Sequence, residues 1–247
     1  MTLLDVEPRD VISAIAAPTG DLGAAAYFHP DTVARGKEIG LDGFRFYFLG
    51  RGGVLGDVEP DVVVSAFGYF EPGLVAKMWN TAKERVAPRE AAREYLACNA
   101  DLGRKLFGAL EGLDAYADAA ASVVAAVDVS GLTLFAGVRG EPVPDDAAAR
   151  AIHHAVLLRE LRGSAHLLAV RASGLESPIA HAMKRPGDMS TFGWSEVPTL
   201  TDDHRAALDR AEALTDDLLV SAFSALDDAA AEALVTGTAA MHAALTP

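Results

Sequence analysis

Four side chains close together in one predicted helix could carry chemistry: Arg159, Glu160, Arg162 and His166. At 100° per residue, Arg159, Arg162 and His166 fall within an arc of about 60° on one face of that helix. Two guanidinium groups and an imidazole on one face suit a carboxylate or phosphate ligand, because arginine binds both groups through paired hydrogen bonds. Glu160 and His166 are also candidates to carry a proton in acid–base catalysis on such a ligand.

An Arg-Gly pair occurs twice, at Arg51-Gly52 and at Arg162-Gly163, each time inside an apolar stretch. A guanidinium is always charged and is rarely buried without an acceptor. Two such arginines at matching places predict a central site between two halves of the chain, with residues 41–80 and 155–194 as corresponding helical units. The structural alternative is that the arginines pair with acidic side chains of neighbouring helices, while their small neighbours let helices approach closely.

Aromatic residues are concentrated in the first half of the chain and form either the main core or the wall of an apolar pocket. The two interpretations are compatible if Tyr27, Tyr47 or Tyr69 points its hydroxyl inward, so these three join the predicted ligand site. His154 and His181 complete it. The aromatic set is Tyr27, Phe28, Phe44, Phe46, Tyr47, Phe48, Phe67, Tyr69 and Phe70.

Metal and cofactor sites are not indicated. His153 and His154 are adjacent and project about 100° apart on a helix, so they do not readily share one ion. No His-x₃-His or His-Glu-x-x-His spacing is present, and no Gly-x-Ser-x-Gly nucleophile motif. We therefore predict no metal, and the sequence identifies no cofactor.

Hydrophobic periodicity predicts an all-α fold. Asp61 is expected to cap a short buried helix over Val62–Val64. The stretch Leu132–Val138 could be a strand, but it has no partner strand. Five longer helices are predicted over Pro88–Leu110, Asp114–Val127, Asp145–Val170, Thr201–Ala225 and Asp227–Leu245.

The domain organisation follows from a segment rich in glycine and proline over residues 131–144. It is predicted to connect an N-terminal helical half, residues 1–130, with a C-terminal helical half, residues 145–247. The expected architecture is two pseudo-repeated multi-helix halves, packed into one globular unit.

Composition narrows the classes of function. Half of the 247 residues are hydrophobic, as in a folded protein, and the net charge of −14 weighs against nucleic acid and anionic membranes as partners. The single cysteine, Cys98, is expected to pack as a small hydrophobe rather than to react. The N-terminus has neither a basic region nor a long apolar run, which predicts no signal peptide, no membrane span and a cytoplasmic location.

The same residues carry a resemblance over roughly residues 24–225. The chain resembles an actinobacterial family named SalK-like, which is also described as carrying a helix-turn-helix. The resemblance implies a degenerate helix-turn-helix-like fold. It does not imply any particular reaction. The matching positions are Ala26–Phe28, Pro30, Gly40–Phe44, Tyr47-Phe48, Gly50-Arg51, Leu55-Gly56, His154, Leu158–Glu160, Arg162-Gly163, His166, His181, Gly193-Trp194 and Thr215-Asp216.

Two departures from that family matter. Gly23 stands where the family commonly has a histidine, which alters any site that needs an imidazole there. Only residues 195–199 separate Gly193-Trp194 from Leu200-Thr201. That length is too short for a DNA-recognition helix.

The predicted function is binding of a small anionic or aromatic molecule between the two halves, without DNA binding. One alternative is an enzyme that uses the Arg/Glu/His face for acid–base chemistry on a small ligand. A second alternative is a helix-turn-helix transcriptional regulator. The sequence is also compatible with a homodimer.

Overall fold

The computed structural model describes residues 7–245, in which all regular structure is helical, so the all-α prediction is confirmed. Met1–Val6, on which the prediction of no signal peptide depends, lie outside the described residues. The α-helices are α1 (Pro8–Ala24), α2 (Pro30–Glu38), α3 (Gly43–Gly52), α4 (Pro60–Phe67), α5 (Pro72–Lys83), α6 (Pro88–Phe107), α7 (Leu113–Ala126), α8 (Thr133–Arg139), α9 (Ala147–Ala172), α10 (Ser177–Lys184), α11 (Asp202–Phe223) and α12 (Asp228–Leu245).

Helix α9 is the centre of the fold. Asp146 caps its start by accepting a hydrogen bond from the backbone N–H of Ala149 at 3.1 Å, and 17 of its 26 residues are buried. It packs against α1, α6, α7, α8 and α11. A helix that is apolar around most of its circumference belongs in a core. The buried polar residues of α9, among them Glu160 and His166, are therefore held at fixed places inside the molecule.

The main hydrophobic core is built from residues of both predicted halves. Helix α9 of the C-terminal half lies among α1, α6 and α7 of the N-terminal half, and α12 packs against α1 and α7. The main hydrophobic cluster runs from Val11 to Met241 and includes residues on both sides of the 131–144 segment. Residues 133–139 of that segment form α8, which also packs against α9.

The glycines beside Arg51 lie where helices approach closely. A Cβ added to Gly53 would lie 2.0 Å from the carbonyl oxygen of Pro88, and one added to Gly50 would lie 2.6 Å from the Tyr95 ring. Gly163, beside Arg162, is different, because a Cβ added there would meet nothing within 4 Å. The prediction of close helix packing was therefore wrong at the second Arg-Gly pair.

Two local predictions are corrected by the structure. Residues 133–139 form helix α8, so the strand considered over Leu132–Val138 is not formed. Helix α4 has Glu59 at its N-cap, and Asp61 lies in its first turn rather than capping it. Pro60 explains the difference, because its fixed φ and missing N–H suit the first position of a helix.

The proposed duplication stays a prediction. Arg51 lies in the last turn of α3, whereas Arg162 lies in the middle of α9. Each is followed by an eight-residue helix with proline in its first turn, α4 and α10 respectively. Among the described residues, no helix is both long and apolar enough to cross a membrane.

Candidate functional site

A cavity of about 310 Å³ lies between α1, α3, α4, α9, α10 and α11. Eight of the ten side chains proposed from the sequence line it, and two do not. His154 lies elsewhere on α9, with Nδ1 2.8 Å from the carbonyl oxygen of Arg150, and Tyr27 contacts the lining residue Glu160 without lining the cavity itself. The eight are Tyr47, Arg51, Tyr69, Arg159, Glu160, Arg162, His166 and His181.

Glu160 is the centre of a buried ionic network at one end of the cavity. Arg51 donates to it twice, from Nε to Oε1 at 2.9 Å and from Nη2 to Oε2 at 2.7 Å. Arg159 donates from Nη1 at 2.9 Å, and the Tyr27 hydroxyl donates at 3.2 Å. The Glu160 side chain is only 2% exposed. Such a network needs every charge paired to be tolerated away from water.

The environment of Glu160 keeps it ionised. Burial alone would raise its pKa, but the charges of Arg51 and Arg159 and their hydrogen bonds outweigh burial and lower the pKa to about 2. A carboxyl group with such a pKa stays ionised near neutral pH and is a weak base. This geometry gives no support to the hypothesis that Glu160 carries a proton in catalysis.

Arg51 and Arg159 differ in the donors they have left. Arg51 uses Nε and Nη2 on Glu160 and Nη1 on the Tyr47 hydroxyl at 3.0 Å, and its side chain is 12% exposed. Arg159 is 25% exposed and uses Nη1 on Glu160, and among the described residues its Nε and Nη2 have no hydrogen-bond partner. Arg159 therefore has more unused hydrogen-bonding capacity than Arg51, since two of its nitrogens make no bond to the described residues.

Gly23 makes the position of Arg159 possible. A Cβ added to Gly23 would lie 2.6 Å from both Cβ and Cδ of Arg159. The stem of Arg159 thus occupies the space that a side chain at position 23 would need. At the place where the SalK-like resemblance leads us to expect a histidine, this chain has an arginine from another helix.

A second polar group lies around Arg162 and His166. Arg162 donates from Nη2 to Glu212 of α11 at 2.9 Å, as the structural alternative predicted, and Lys184 also pairs with Glu212. His166 Nδ1 lies 2.9 Å from Thr215 Oγ1. Because that hydroxyl donates to a backbone carbonyl at 2.7 Å, we assign the His166 proton to Nδ1 and the lone pair to Nε2.

His166 is neutral near pH 7. Burial, assisted by the charge of Lys184, lowers its pKa to about 4. The Lys184 Nζ lies 3.5 Å from Nε2, in position to donate to the lone pair. His166 is therefore an uncharged hydrogen-bonding group in the wall of the cavity.

Several buried polar atoms of the lining residues have no partner. They are Thr19 Oγ1, Tyr69 Oη, Arg162 Nε and His181 Nε2. Leaving one buried polar group unpaired costs about 1–3 kcal/mol. The Nε–H of Arg162 can only donate, so it requires an acceptor. These four groups give the cavity wall hydrogen-bonding capacity that the described residues do not use.

A family model described as a helix-turn-helix family matches residues 13–196, well over half of the chain. The chain belongs to this helix-turn-helix family. The finer SalK-like assignment stays a prediction. Comparisons with curated proteins and with solved structures each gave no match.

The family match covers most of the cavity of this helix-turn-helix protein but not its α11 wall. Leu219 and Phe223 line the cavity beyond residue 196.

The segment between Trp194 and Asp202 has no helix, as its short length predicted. Trp194 Nε1 donates to the backbone oxygen of Tyr69 at 2.8 Å. This bond holds the segment against the loop between α4 and α5.

Sequence reasoning missed several lining residues. Thr19 and the apolar residues of α1 and α11 carry no local pattern that distinguishes a cavity wall from a core. Lys184 and Arg185 also line the cavity, and a pair of adjacent cations in the sequence does not by itself mark a site. Cys98 is half-buried away from it, and burial raises the pKa of its thiol, in keeping with a packing role.

Proposed function

We propose that this helix-turn-helix family member binds a small organic anion with an apolar or aromatic body in the cavity around α9. One observation carries the proposal. Five basic residues and one acidic residue line the cavity, in a chain whose net charge is −14. The acidic residue is Glu160, and the basic residues are Arg51, Arg159, Arg162, Lys184 and Arg185.

The acids around the cavity do not balance these cations. Arg51 and Arg159 share the single carboxylate of Glu160. Arg162 and Lys184 share Glu212, and Arg162 Nη2 also lies 4.0 Å from Asp216; neither acid is among the lining residues. A partly buried cation without a full partner is unfavourable, and an anion brought by a ligand relieves that cost. This arrangement favours negatively charged ligands over neutral molecules of the same shape.

The rest of the wall suits an apolar body. The rings of Phe70 and Phe192 stack with centroids 4.1 Å apart, and the His181 ring lies 3.9 Å from Phe192. Aliphatic side chains of α1 and α11 face the same space, among them Ile12 and Leu219. The volume is at the lower end of the range for small-molecule sites, which is about 300–1,000 Å³.

A second candidate function, DNA binding as a transcriptional regulator, is favoured by the family match alone. The net charge of −14 and the helix-free segment after Trp194 argue against it. We therefore place ligand binding first. In a regulator, the same cavity would be the place where a small molecule acts.

Thermal unfolding with two matched probes tests the proposal. Biphenyl-4-carboxylate and the neutral biphenyl-4-methanol share one apolar body and differ in charge. A ligand that binds only the folded protein raises the melting temperature with its concentration. We expect a saturable rise with the acid and little or none with the alcohol, in the wild type and in the control variant Arg150→Gln, whose side chain pairs with Asp118 away from the cavity. No rise with either probe, or equal rises with both, would contradict the proposal.

A further inference from the structure

Two helical glycines leave open space where a side chain would be. A Cβ added to Gly20 of α1 or to Gly163 of α9 would meet nothing within 4 Å. Every other glycine within a described α-helix has a neighbour inside that distance. Both open glycines line the cavity. Glycine weakens a helix interior relative to alanine, and here no close packing compensates for it.

Gly163 lies between two polar groups on one face of α9. At 100° per residue, Arg159, Gly163 and His166 fall within an arc of about 60°. Seven residues separate Arg159 from His166, which corresponds to about 10 Å along the helix axis. This face of α9 therefore has the cation of Arg159 at one end, open space above Gly163 in the middle and the polar ring of His166 at the other end.

The two ends differ in what they can bind. At the first end, Arg159 is held in place by Glu160 and its Nε and Nη2 make no hydrogen bond to the described residues, while each of the three nitrogens of Arg51 already donates once. At the second end, Tyr69 Oη, Arg162 Nε and His181 Nε2 have no partner, and the Tyr69 ring lies 6.2 Å from the His181 ring. His181 is 5% exposed, so water does not reach these groups freely.

We propose that the ligand is an elongated organic acid lying along α9 over Gly163, with its carboxylate on Arg159 and a hydroxyl or carbonyl group at Tyr69, Arg162 and His181. The proposal rests on the proposed function and adds the ligand's shape, direction and second polar group. Arg51 and Glu160 act as positioning residues for Arg159. Gly163 is the position that leaves room for the ligand's body.

Four probes separate charge, length and the second polar group. 4′-Hydroxybiphenyl-4-carboxylate has the acid, the length and the hydroxyl. Biphenyl-4-carboxylate lacks the hydroxyl, 4-hydroxybiphenyl lacks the acid, and 4-hydroxybenzoate lacks the length. In calorimetric titrations of the wild type, we expect the first probe to bind at least tenfold more tightly than each of the other three.

Variants then test the direction of the ligand. Gly163→Leu should weaken binding of 4′-hydroxybiphenyl-4-carboxylate at least tenfold, and Arg159→Gln should remove its advantage over 4-hydroxybiphenyl. Ala172→Leu, at the exposed end of the same helix, and Arg150→Gln are the matched controls and should bind as the wild type does. Circular dichroism and melting curves establish that each variant is folded.

The outcomes separate the two proposals. If the wild type binds biphenyl-4-carboxylate but gains nothing from the hydroxyl and tolerates Gly163→Leu, the elongated-acid proposal is overturned and anion binding stands. If the wild type binds none of the acids, anion binding itself is overturned, and the elongated-acid proposal falls with it.

Discussion

Arg51 and Glu160 are 109 positions apart in the chain, yet their side chains meet in two hydrogen bonds of 2.9 and 2.7 Å. This pair joins the end of α3 to the middle of α9. It also fixes the carboxylate that orients Arg159. This one ionic contact therefore links two helices of the fold and helps to fix the geometry at one end of the cavity.

Replacing Arg51 by methionine should destabilise the protein by roughly 3 kcal/mol or more, because it leaves a buried carboxylate without its main partner. Urea denaturation of the unliganded protein measures this loss. The control Arg150→Met removes a more exposed arginine from α9 and should cost less than about 1 kcal/mol. Equal small losses in both variants would show that the Arg51–Glu160 pair does not support the fold.

Replacing Arg162 by methionine should weaken ligand binding but should have little effect on the stability of the unliganded protein. Arg162 is partly exposed, and Glu212 keeps Lys184 as a partner, so the unliganded protein should lose no more than about 1 kcal/mol. Binding of 4′-hydroxybiphenyl-4-carboxylate should weaken, because the variant lacks a donor at the cavity. A large loss of stability without any change in binding would identify Arg162 as a structural residue only.

Replacing glycine by alanine should change the free energy of unfolding in opposite directions at Gly163 and at Gly23. Gly163→Ala places a methyl group in open space in the middle of α9 and should stabilise the protein by up to about 1 kcal/mol. Gly23→Ala places it against Arg159 and should destabilise by about 1–3 kcal/mol. Denaturation curves of both variants provide the test, and a change of the same sign in both would contradict the described positions.

Acid should weaken the fold in two stages. His153 and His166 have pKa values lowered to about 4, principally by burial. Their contribution to stability is present above the ordinary histidine value of about 6.5 and is lost as the pH falls towards 4. Glu160, with its pKa lowered to about 2, adds a loss that begins near its ordinary value of 4.5 and continues below pH 4.

The free energy of unfolding, measured from pH 8 to pH 3, tests these two stages. His166→Gln should flatten the part between pH 6.5 and 4, while leaving the decline at lower pH unchanged. Stability that stays constant from pH 6.5 to 4 in the wild type would contradict the description of both histidines as buried and neutral.

Local structure was predictable, because helical periodicity and helix-start signals lie within short stretches of chain. The predicted helix over Asp145–Val170 corresponds to α9, and the acceptor required by Arg51 was also foreseen. The identity of that acceptor was not, since sequence supplies residue types but not long-range partners. Glu160 was therefore interpreted as a proton carrier, although its two arginine neighbours hold it ionised.

The open space at Gly163 was unpredictable for a related reason. A glycine near an arginine in an apolar stretch is equally compatible with close helix packing, as at Gly53, and with open space, as at Gly163. Only the arrangement of α1, α9 and α11 in space distinguishes the two. The same holds for Thr19, whose hydroxyl is unpaired because of where α1 lies and not because of any local pattern.

The protein should show no saturable DNA binding at near-physiological salt, despite its helix-turn-helix family. The reason is its net charge of −14, because binding to DNA depends on neutralising phosphates with lysine and arginine. Fluorescence anisotropy with genomic fragments, repeated in the presence of biphenyl-4-carboxylate, measures this. Nanomolar binding to one fragment that weakens steeply with added salt would contradict the charge argument.

A crystal structure of the protein soaked with 4′-hydroxybiphenyl-4-carboxylate tests anion binding in the cavity most directly. We expect the carboxylate within hydrogen-bonding distance of Arg159, the rings over Gly163 and the hydroxyl beside Tyr69, Arg162 or His181. An empty cavity in a crystal that contains the compound at saturating concentration, or the compound bound only on the outer surface, would contradict it.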